Sequence, residues 1–240
     1  MCRSVLSGMC TLAARHDALQ SNPVRALGSL TSRPRKAPRA LTVPQLRQIR
    51  AALSYDDRAI ARDLPDLVSF LMATGLRIGE ACGLTWSSID LDAGTIDVRA
   101  AVVRVKGRGL VVKTTKTDTG ARTLVLPQWC VTMLRDRATH SQPLEEGDPV
   151  FPAPLGGWRD PSNTQADLRD AFATAGFDWV TSHVFRKTVA TLMDQAGLSS
   201  RAAADQLGHA NTSMTTDVYF GRKVPATGAA AVLEALSPVP

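Results

Sequence analysis

The sequence has few of the features that mark membrane or secreted proteins. No apolar run approaches the roughly 18 residues that a membrane-spanning helix needs. The N-terminal stretch MCRSVLSGMCTLAARHD has a short, interrupted apolar segment instead of the continuous core of a signal peptide, so we expect no export. The four cysteines, Cys2, Cys10, Cys82 and Cys130, lie far apart without a CxxC pair. This argues against zinc-finger and disulfide frameworks and favours reduced thiols in the cytoplasm.

Two further absences narrow the chemistry. The sequence has no glycine-rich phosphate loop, so ATP is not implied, and no spaced set of metal ligands is visible. We therefore expect neither a cofactor nor a metal. The remaining composition is ordinary, with 44% hydrophobic and 21% charged residues. A chain of 240 residues can form one large or two small globular domains with a buried core.

Positive charge is concentrated in two segments. The net charge is +6, yet residues 1–50 hold nine Lys and Arg against the single acid Asp17, which leaves the rest slightly acidic. One segment is the Pro- and Arg-rich stretch 33–39. The other, 99–122, has seven basic residues against Asp118 alone. Such patches can follow a phosphate backbone, although a solvated linker and a solvated hairpin explain the charge equally well.

Composition and periodicity divide the chain into three parts. Apolar residues at helical spacing and a stop at Asn22-Pro23 predict a helix in 1–27, and residues 28–40 have the composition of a linker. A new unit begins at Leu41, with Thr42 as a helix N-cap and an Ala-rich helix near the end of the chain. The predicted boundaries are 1–40 for a helix plus basic linker, 41–225 for the main domain and 226–240 for a C-terminal tail helix.

The main domain is expected to be α+β and mainly helical, with a small three-stranded antiparallel sheet. Alternating residues predict β-structure in 95–99, 102–105, 110–115 and 122–127, with a turn at Gly107-Arg108-Gly109. Helical periodicity predicts helices at 63–73, 77–84, 128–138, 161–175, 184–196, 199–207 and 226–236.

Six polar residues stand in four short motifs whose order and setting carry more weight than any one of them. The motifs are Thr74-Gly75-Leu76-Arg77-Ile78-Gly79-Glu80, Lys116 in the predicted hairpin, His183-x-x-Arg186, and Leu207-Gly208-His209 followed by Tyr219. Over roughly residues 41–222 these motifs resemble the tyrosine recombinase (phage integrase) family. An isolated His-x-x-Arg pair would mean little, whereas six matches in order are a strong signal.

The resemblance implies a site-specific DNA recombinase or integrase that needs no cofactor. Tyr219 would attack a DNA phosphodiester, forming a 3′-phosphotyrosine and a free 5′-OH before strand exchange and religation. Arg77 and Arg186 suit a cationic clamp because guanidinium groups match phosphate oxygens in bidentate fashion. His209 would donate a hydrogen bond to the phosphate, and His183 would act as general base.

Three further sets of residues receive expected roles. Lys116 is the candidate general acid for the 5′-oxygen, and Glu80 is expected to orient His183 or an arginine from its position three residues after Arg77. The candidate DNA contacts are Arg35, Lys36, Arg39, Arg104, Lys106, Arg108, Lys113, Arg122 and Lys187.

The expected partner is double-stranded DNA, bound in the cytoplasm by a bacterial or phage-encoded protein with no membrane contact. The family implies a homo-tetramer on paired DNA sites. The tail helix has an apolar stripe, Val232, Leu233 and Leu236, which either docks on a neighbouring protomer or packs on its own domain.

The sequence departs from the family before Leu41. Members carry a helical core-binding domain there, and residues 1–27 resemble only its last helix. We therefore expect weak DNA affinity and poor site selectivity for this chain alone. Two alternatives remain open, namely DNA relaxation of the type IB topoisomerase kind and an inactive DNA-binding remnant of a prophage.

Overall fold

A computed structural model describes residues 2–27, 39–114, 121–140, 147–208 and 228–237. The chain divides into two compact units, Met1–Pro38 and Arg39–Pro240. The elements are α1 (Cys2–Arg15), α2 (Pro23–Ala26), α3 (Val43–Ser54), α4 (Asp57–Ala61), α5 (Leu64–Thr74), α6 (Ile78–Cys82), β1 (Ile89–Asp90), β2 (Thr95–Val98), β3 (Ala100–Val105), β4 (Gly109–Thr114), β5 (Arg122–Val125), α7 (Gln128–His140), α8 (Pro161–Thr174), α9 (Ser182–Gln195), α10 (Ser200–Leu207) and α11 (Ala229–Leu233), with 3₁₀ turns at Trp86–Ser88 and Glu234–Leu236.

The first unit contains two helices where the sequence predicted one. Helix α1 ends at Arg15, and Asn22-Pro23 begins α2. The Asn22 side chain caps α2 by accepting from the backbone N–H of Val24 at 3.0 Å, while its amide donates to the Thr11 hydroxyl at 2.7 Å. A helix followed by a polar turn agrees with the prediction, but reading Asn22-Pro23 as a stop was wrong, because Asn-Pro suits a helix start as well.

The second unit is organised around α5, whose residues from Leu67 to Thr74 are all buried. The helix ends at Gly75, which adopts the left-handed conformation (φ 67°) that glycine allows without strain. Thr42 caps α3 as predicted, within a capping box shared with Gln45. Helix α9 packs against α5, and α10 packs against α9, so the ends of α5 and α10 approach the start of α9.

The β-structure forms two separate ladders. Strands β1, β2 and β5 form a three-stranded antiparallel sheet, in which Thr95 pairs with Val125, as the fold-class prediction required. Strands β3 and β4 form a hairpin of their own, with Ala100 opposite Thr114, and β3 packs on α6 and α8. The sequence did not separate the two ladders because alternation identifies strands but not their partners.

The tail packs on its own domain in this structure. Leu233 and Leu236 are at most 2% exposed and belong to the main hydrophobic core. The Trp129 indole donates to the Leu233 carbonyl at 2.8 Å, and the Arg50 guanidinium donates to the Leu236 carbonyl. Of the two placements considered for the apolar stripe, this chain shows the intramolecular one. None of the described helices is long and apolar enough to cross a membrane.

Candidate active site

Arg186 is the most firmly held cation of the site. It lies on α9, is 3% exposed, and donates through Nη1 to the Gly75 carbonyl at 3.0 Å and through Nη2 to the Leu207 carbonyl. Both carbonyls end a helix, where the helix dipole favours a positive charge. Burial, and then the charge of Arg77, lower the pKa of Arg186 to about 10, so it remains protonated at neutral pH.

Arg77 is half-exposed and is oriented by Glu80. Its Nη1 lies 2.9 Å from Glu80 Oε1, and its backbone N–H donates to Glu80 Oε2 at 3.0 Å. Burial alone would raise the pKa of Glu80, but the charge of Arg122 and the hydrogen bonds from Arg122 and Arg77 lower the pKa below its ordinary value. Glu80 is therefore a buried carboxylate that fixes the direction of an exposed guanidinium.

Arg122, a candidate DNA contact from the sequence, lies inside the same network. Its side chain is 8% exposed, its Nη2 lies 3.0 Å from Glu80 Oε2, and its Nε donates to the Gln206 carbonyl at 3.0 Å. Glu80 thus orients two arginines rather than His183. We call Arg77, Arg122, Arg186 and Glu80 the arginine cluster.

The turn after α10 closes over Arg122. Gly208 has φ 62°, and a Cβ placed there would lie only 2.6 Å from Arg122 Nη1. The buried Gln206 side chain donates to the Thr74 carbonyl at 3.1 Å, which ties this turn to the end of α5. Sequence reasoning missed Gln206, because much of its contribution comes from a backbone carbonyl that any residue type would provide.

His183 stands in the first turn of α9, exposed beside the cluster. Burial of its ring, and then the charges of Lys187, Arg186 and Arg77, lower its pKa below the ordinary 6.5. The ring is therefore neutral at pH 7 and able to accept a proton. The predicted proximity of His183 to Arg77 and Arg186 is consistent with the effect of these two charges on the pKa of His183.

The remaining predicted residues divide into three groups. On the β3–β4 hairpin, Lys106, Arg108 and Lys113 are exposed, and Arg104 donates through Nε to Asp160 at 2.6 Å. Arg39 is exposed and stacks on the Trp179 ring at 3.9 Å, and Lys187 is half-buried. Arg35, Lys36, Lys116, His209 and Tyr219 lie outside the described residues. We call Arg104, Lys106, Arg108 and Lys113 the basic hairpin.

The arrangement favours binding of an anion. The cluster holds three guanidinium groups and a single carboxylate, and Arg77 and His183 give it an exposed side. A fixed excess of donors and positive charge is the electrostatic requirement of a site that stabilises charge on phosphate oxygens. Within the described ranges, no group of His, Cys, Asp and Glu could hold a metal ion.

Known proteins resemble the chain in sequence and in fold. The phage integrase family model matches residues 39–223. A Mycobacterium tuberculosis protein named "Putative prophage phiRv2 integrase" is 30% identical to this chain. The match covers 86% of this chain and 53% of that protein. Tyrosine recombinase XerC of Ralstonia pickettii is 29% identical over 87% of this chain and 63% of its own length. The chain thus spans about half to two thirds of these relatives.

Solved structures share the fold at lower identity. The integrase of transposon Tn1549, in complex with a circular intermediate DNA, has a TM-score of 0.75 at 20% identity and covers 95% of this chain and 76% of its own. XerA recombinase has a TM-score of 0.58 at 24% identity, covering 88% and 66%. With three quarters of the sequence matched by one family model, the chain belongs to the phage integrase family.

Proposed function

We propose that this chain is the catalytic domain of a site-specific DNA recombinase or integrase that acts through Tyr219. The observation that carries the proposal is the arginine cluster, in which Arg186 is buried on two helix-end carbonyls and Arg77 is aimed by Glu80. Such rigid cations suit a pentacoordinate phosphorus, whose non-bridging oxygens gain charge as the nucleophile adds. We assign this activity to residues 41–225.

The proposed reaction exchanges one phosphate ester for another. The Tyr219 phenol oxygen forms a bond to phosphorus, and its proton passes to His183. The bond from phosphorus to the 5′-oxygen breaks, and Lys116 protonates the leaving oxygen. Religation reverses these steps with another 5′-OH, so the phosphotyrosine conserves the bond energy and no cofactor is required. His209 is proposed to donate to a phosphate oxygen.

The proposed substrate is double-stranded DNA, and the proposed place of action is the bacterial cytoplasm. The basic hairpin and Arg39 present exposed positive charge outside the arginine cluster, which is the type of surface that contacts phosphates. The solved structure of the Tn1549 integrase is a complex with DNA. We propose a homo-tetramer on paired DNA sites, because strand exchange joins ends from two duplexes that are each cut on both strands.

A covalent trapping experiment with randomised DNA tests the proposal whatever the target sequence is. The chain is incubated with a pool of nicked duplexes of randomised core sequence. When the enzyme cuts close to the nick, the short strand between the cut and the nick diffuses away. Religation is then impossible, and the covalent intermediate accumulates. We expect a denaturant-resistant protein–DNA adduct. Tyr219→Phe should abolish the adduct. Tyr55→Phe is the matched control, because Tyr55 is the other tyrosine of the chain and is 89% exposed.

The outcomes separate the alternatives. Absence of an adduct with the wild-type chain, or an adduct that survives Tyr219→Phe, would contradict the proposal. Sequencing of the trapped DNA gives the preferred site. Relaxation of supercoiled plasmid without recombinant products, using the same preparation, would favour a topoisomerase and overturn the recombinase assignment.

A further inference from the structure

Arg122 is buried where three distant segments of the chain meet. Its Nη2 contacts Glu80 on α6, its Nε contacts the Gln206 carbonyl at the end of α10, and it begins strand β5. We infer that Arg122 is a positioning residue, which holds the Arg77–Glu80 pair and the Gln206–Gly208 turn in a fixed relation. This inference rests on the proposed function.

The first contact acts through Glu80. Oxygen Oε2 of Glu80 accepts from both Arg122 Nη2 and the backbone N–H of Arg77, while Oε1 accepts from Arg77 Nη1. A buried carboxylate needs such partners to remain ionised. Loss of Arg122 would leave Glu80 with weaker compensation, and a protonated Glu80 would hold the Arg77 guanidinium less firmly.

The second contact acts on the turn that leads into His209. Arg122 Nε holds the Gln206 carbonyl, and the absence of a side chain at Gly208 leaves the space that the guanidinium fills. His209 directly follows Gly208 in the sequence, and Lys116 precedes Arg122 by six positions. Arg122 therefore contacts the helix that follows Arg77 and the end of the helix that precedes His209 in the sequence.

The geometry does not suit Arg122 as a DNA phosphate ligand. Its side chain is 8% exposed and also contacts the carboxylate of Glu80, which already balances part of its charge. Arg186 is buried as deeply but contacts backbone carbonyls, and Arg77 contacts Glu80 but is half-exposed. Arg108, by contrast, is an exposed cation of the basic hairpin in the same stretch of sequence. A phosphate ligand contributes to the salt dependence of binding, whereas a positioning residue contributes to the rate at saturating DNA.

Arg122→Met and Arg122→Lys, with Arg108→Met as matched control, test the inference on the full chain. The measurements are single-turnover adduct formation at saturating DNA from the trapped pool, and DNA affinity against salt. We expect Arg122→Met to lower the rate about 100-fold, as misplacement of a catalytic group does, with an unchanged salt slope. Arg122→Lys should recover part of the rate. Arg108→Met should lower the salt slope by about one. Arg169→Met, on the exposed surface of α8, should leave the rate unchanged.

The pH profile supplies a readout that a merely structural role would not change. Among the described residues, Arg77, Arg122 and Arg186 interact with the charge of Glu80, and Asp97 and Arg99 line the same cavity as Glu80. Because Arg122 lowers the pKa of Glu80, its removal should raise that pKa. The acid limb of the pH–rate profile of Arg122→Met should therefore move to higher pH. The double variant with Glu80→Gln should lose this shift and keep only the limb that follows the titration of His183, because the shift depends on an ionisable Glu80.

Several results would overturn the inference. One is a salt slope for Arg122→Met that falls as in Arg108→Met, which would make Arg122 a phosphate ligand. Another is a uniform loss of rate at every pH with no recovery in Arg122→Lys. If the wild-type chain forms no adduct, the proposed function fails, and hydrogen exchange then decides about Arg122. Exchange at 77–82 and 204–208 should quicken in Arg122→Met more than in Arg122→Lys, and unchanged exchange would overturn the inference.

Discussion

The arginine cluster and the basic hairpin both carry positive charge but are built differently. In the cluster, Arg186 is 3% exposed, and each guanidinium contacts a carboxylate or a helix-end carbonyl. In the hairpin, Lys106, Arg108 and Lys113 are exposed on a two-stranded ladder. A buried cation with fixed partners keeps one direction, whereas an exposed cation can follow a phosphate backbone.

This difference assigns the two regions to different steps. Fixed cations stabilise a transition state because no reorganisation is needed when charge develops. Exposed cations contribute affinity that falls with added salt, because they displace counterions from DNA. The comparison therefore predicts that cluster variants change the cleavage rate at saturating DNA, and that hairpin variants change affinity.

The largest effect is expected at His183, which stands beside the cluster. His183→Gln should lower the cleavage rate by about 10²–10⁴, the range of a lost general base. In the wild-type chain the rate should fall as pH drops through the pKa of His183, which lies below 6.5 because of burial and the charges of Lys187, Arg186 and Arg77. The control is His140→Gln, because His140 lies on an exposed part of α7. An equal loss of cleavage rate in this variant would show that the effect does not depend on a position beside the cluster.

Arg186→Lys should reduce the rate about 10²–10³-fold, as loss of a preorganised donor does. A lysine cannot reproduce the fork that reaches both the Gly75 and Leu207 carbonyls. One buried acceptor is then unpaired, which costs about 1–3 kcal/mol in the free energy of unfolding. Denaturant unfolding and single-turnover cleavage measure the two effects. Arg169→Lys, on the exposed surface of α8, should change neither.

Glu80 gives the pH dependence of stability within the cluster. Its folded pKa is lower than 4.5, because the charge of Arg122 and the hydrogen bonds from Arg122 and Arg77 outweigh burial. The unfolded chain therefore binds the proton more readily. The stabilisation is complete above the unfolded pKa and is lost as pH falls through the folded pKa. The difference in unfolding free energy between wild type and Glu80→Gln should shrink as pH decreases below about 5. A constant difference would contradict the ion-pair account.

The smallest effect is expected in the hairpin. Lys106→Ala should reduce the salt slope of DNA binding by about one, with no change in the rate at saturation or in stability. Lys106 is exposed next to the turn at Gly107, and its removal leaves no buried partner. A change in the cleavage rate at saturating DNA would mean that Lys106 takes part in the reaction. It would contradict the division of roles between the arginine cluster and the basic hairpin.

Much of this arrangement could be predicted from sequence, for identifiable reasons. Thr42 and Gly75 mark helix ends through local chemistry, and motif order brought Arg77, Glu80, His183 and Arg186 into one candidate site. Whether a cation is buried or exposed depends on tertiary contacts. Arg122 and Arg108 therefore looked alike in the sequence, although one contacts Glu80 and the other lies on a hairpin turn.

Hydrogen-bond partners that are backbone carbonyls leave no sequence signal at all. The carbonyls of Gly75, Gln206 and Leu207 hold two arginines, and their usefulness comes from the meeting of helix ends. The separation of β3 and β4 from the three-stranded sheet depends likewise on pairing across distant segments. The predicted roles of Lys116, His209 and Tyr219 stay predictions.

The most direct test compares Arg186→Lys with the triple variant Lys106→Ala, Arg108→Ala and Lys113→Ala in one titration. Adduct formation is followed in single turnover against DNA concentration at two salt concentrations. The account predicts a lower plateau with an unchanged midpoint for Arg186→Lys. For the triple variant it predicts an unchanged plateau, with a midpoint that is shifted and less dependent on salt. A lower plateau for the triple variant, or a shifted midpoint alone for Arg186→Lys, would contradict it.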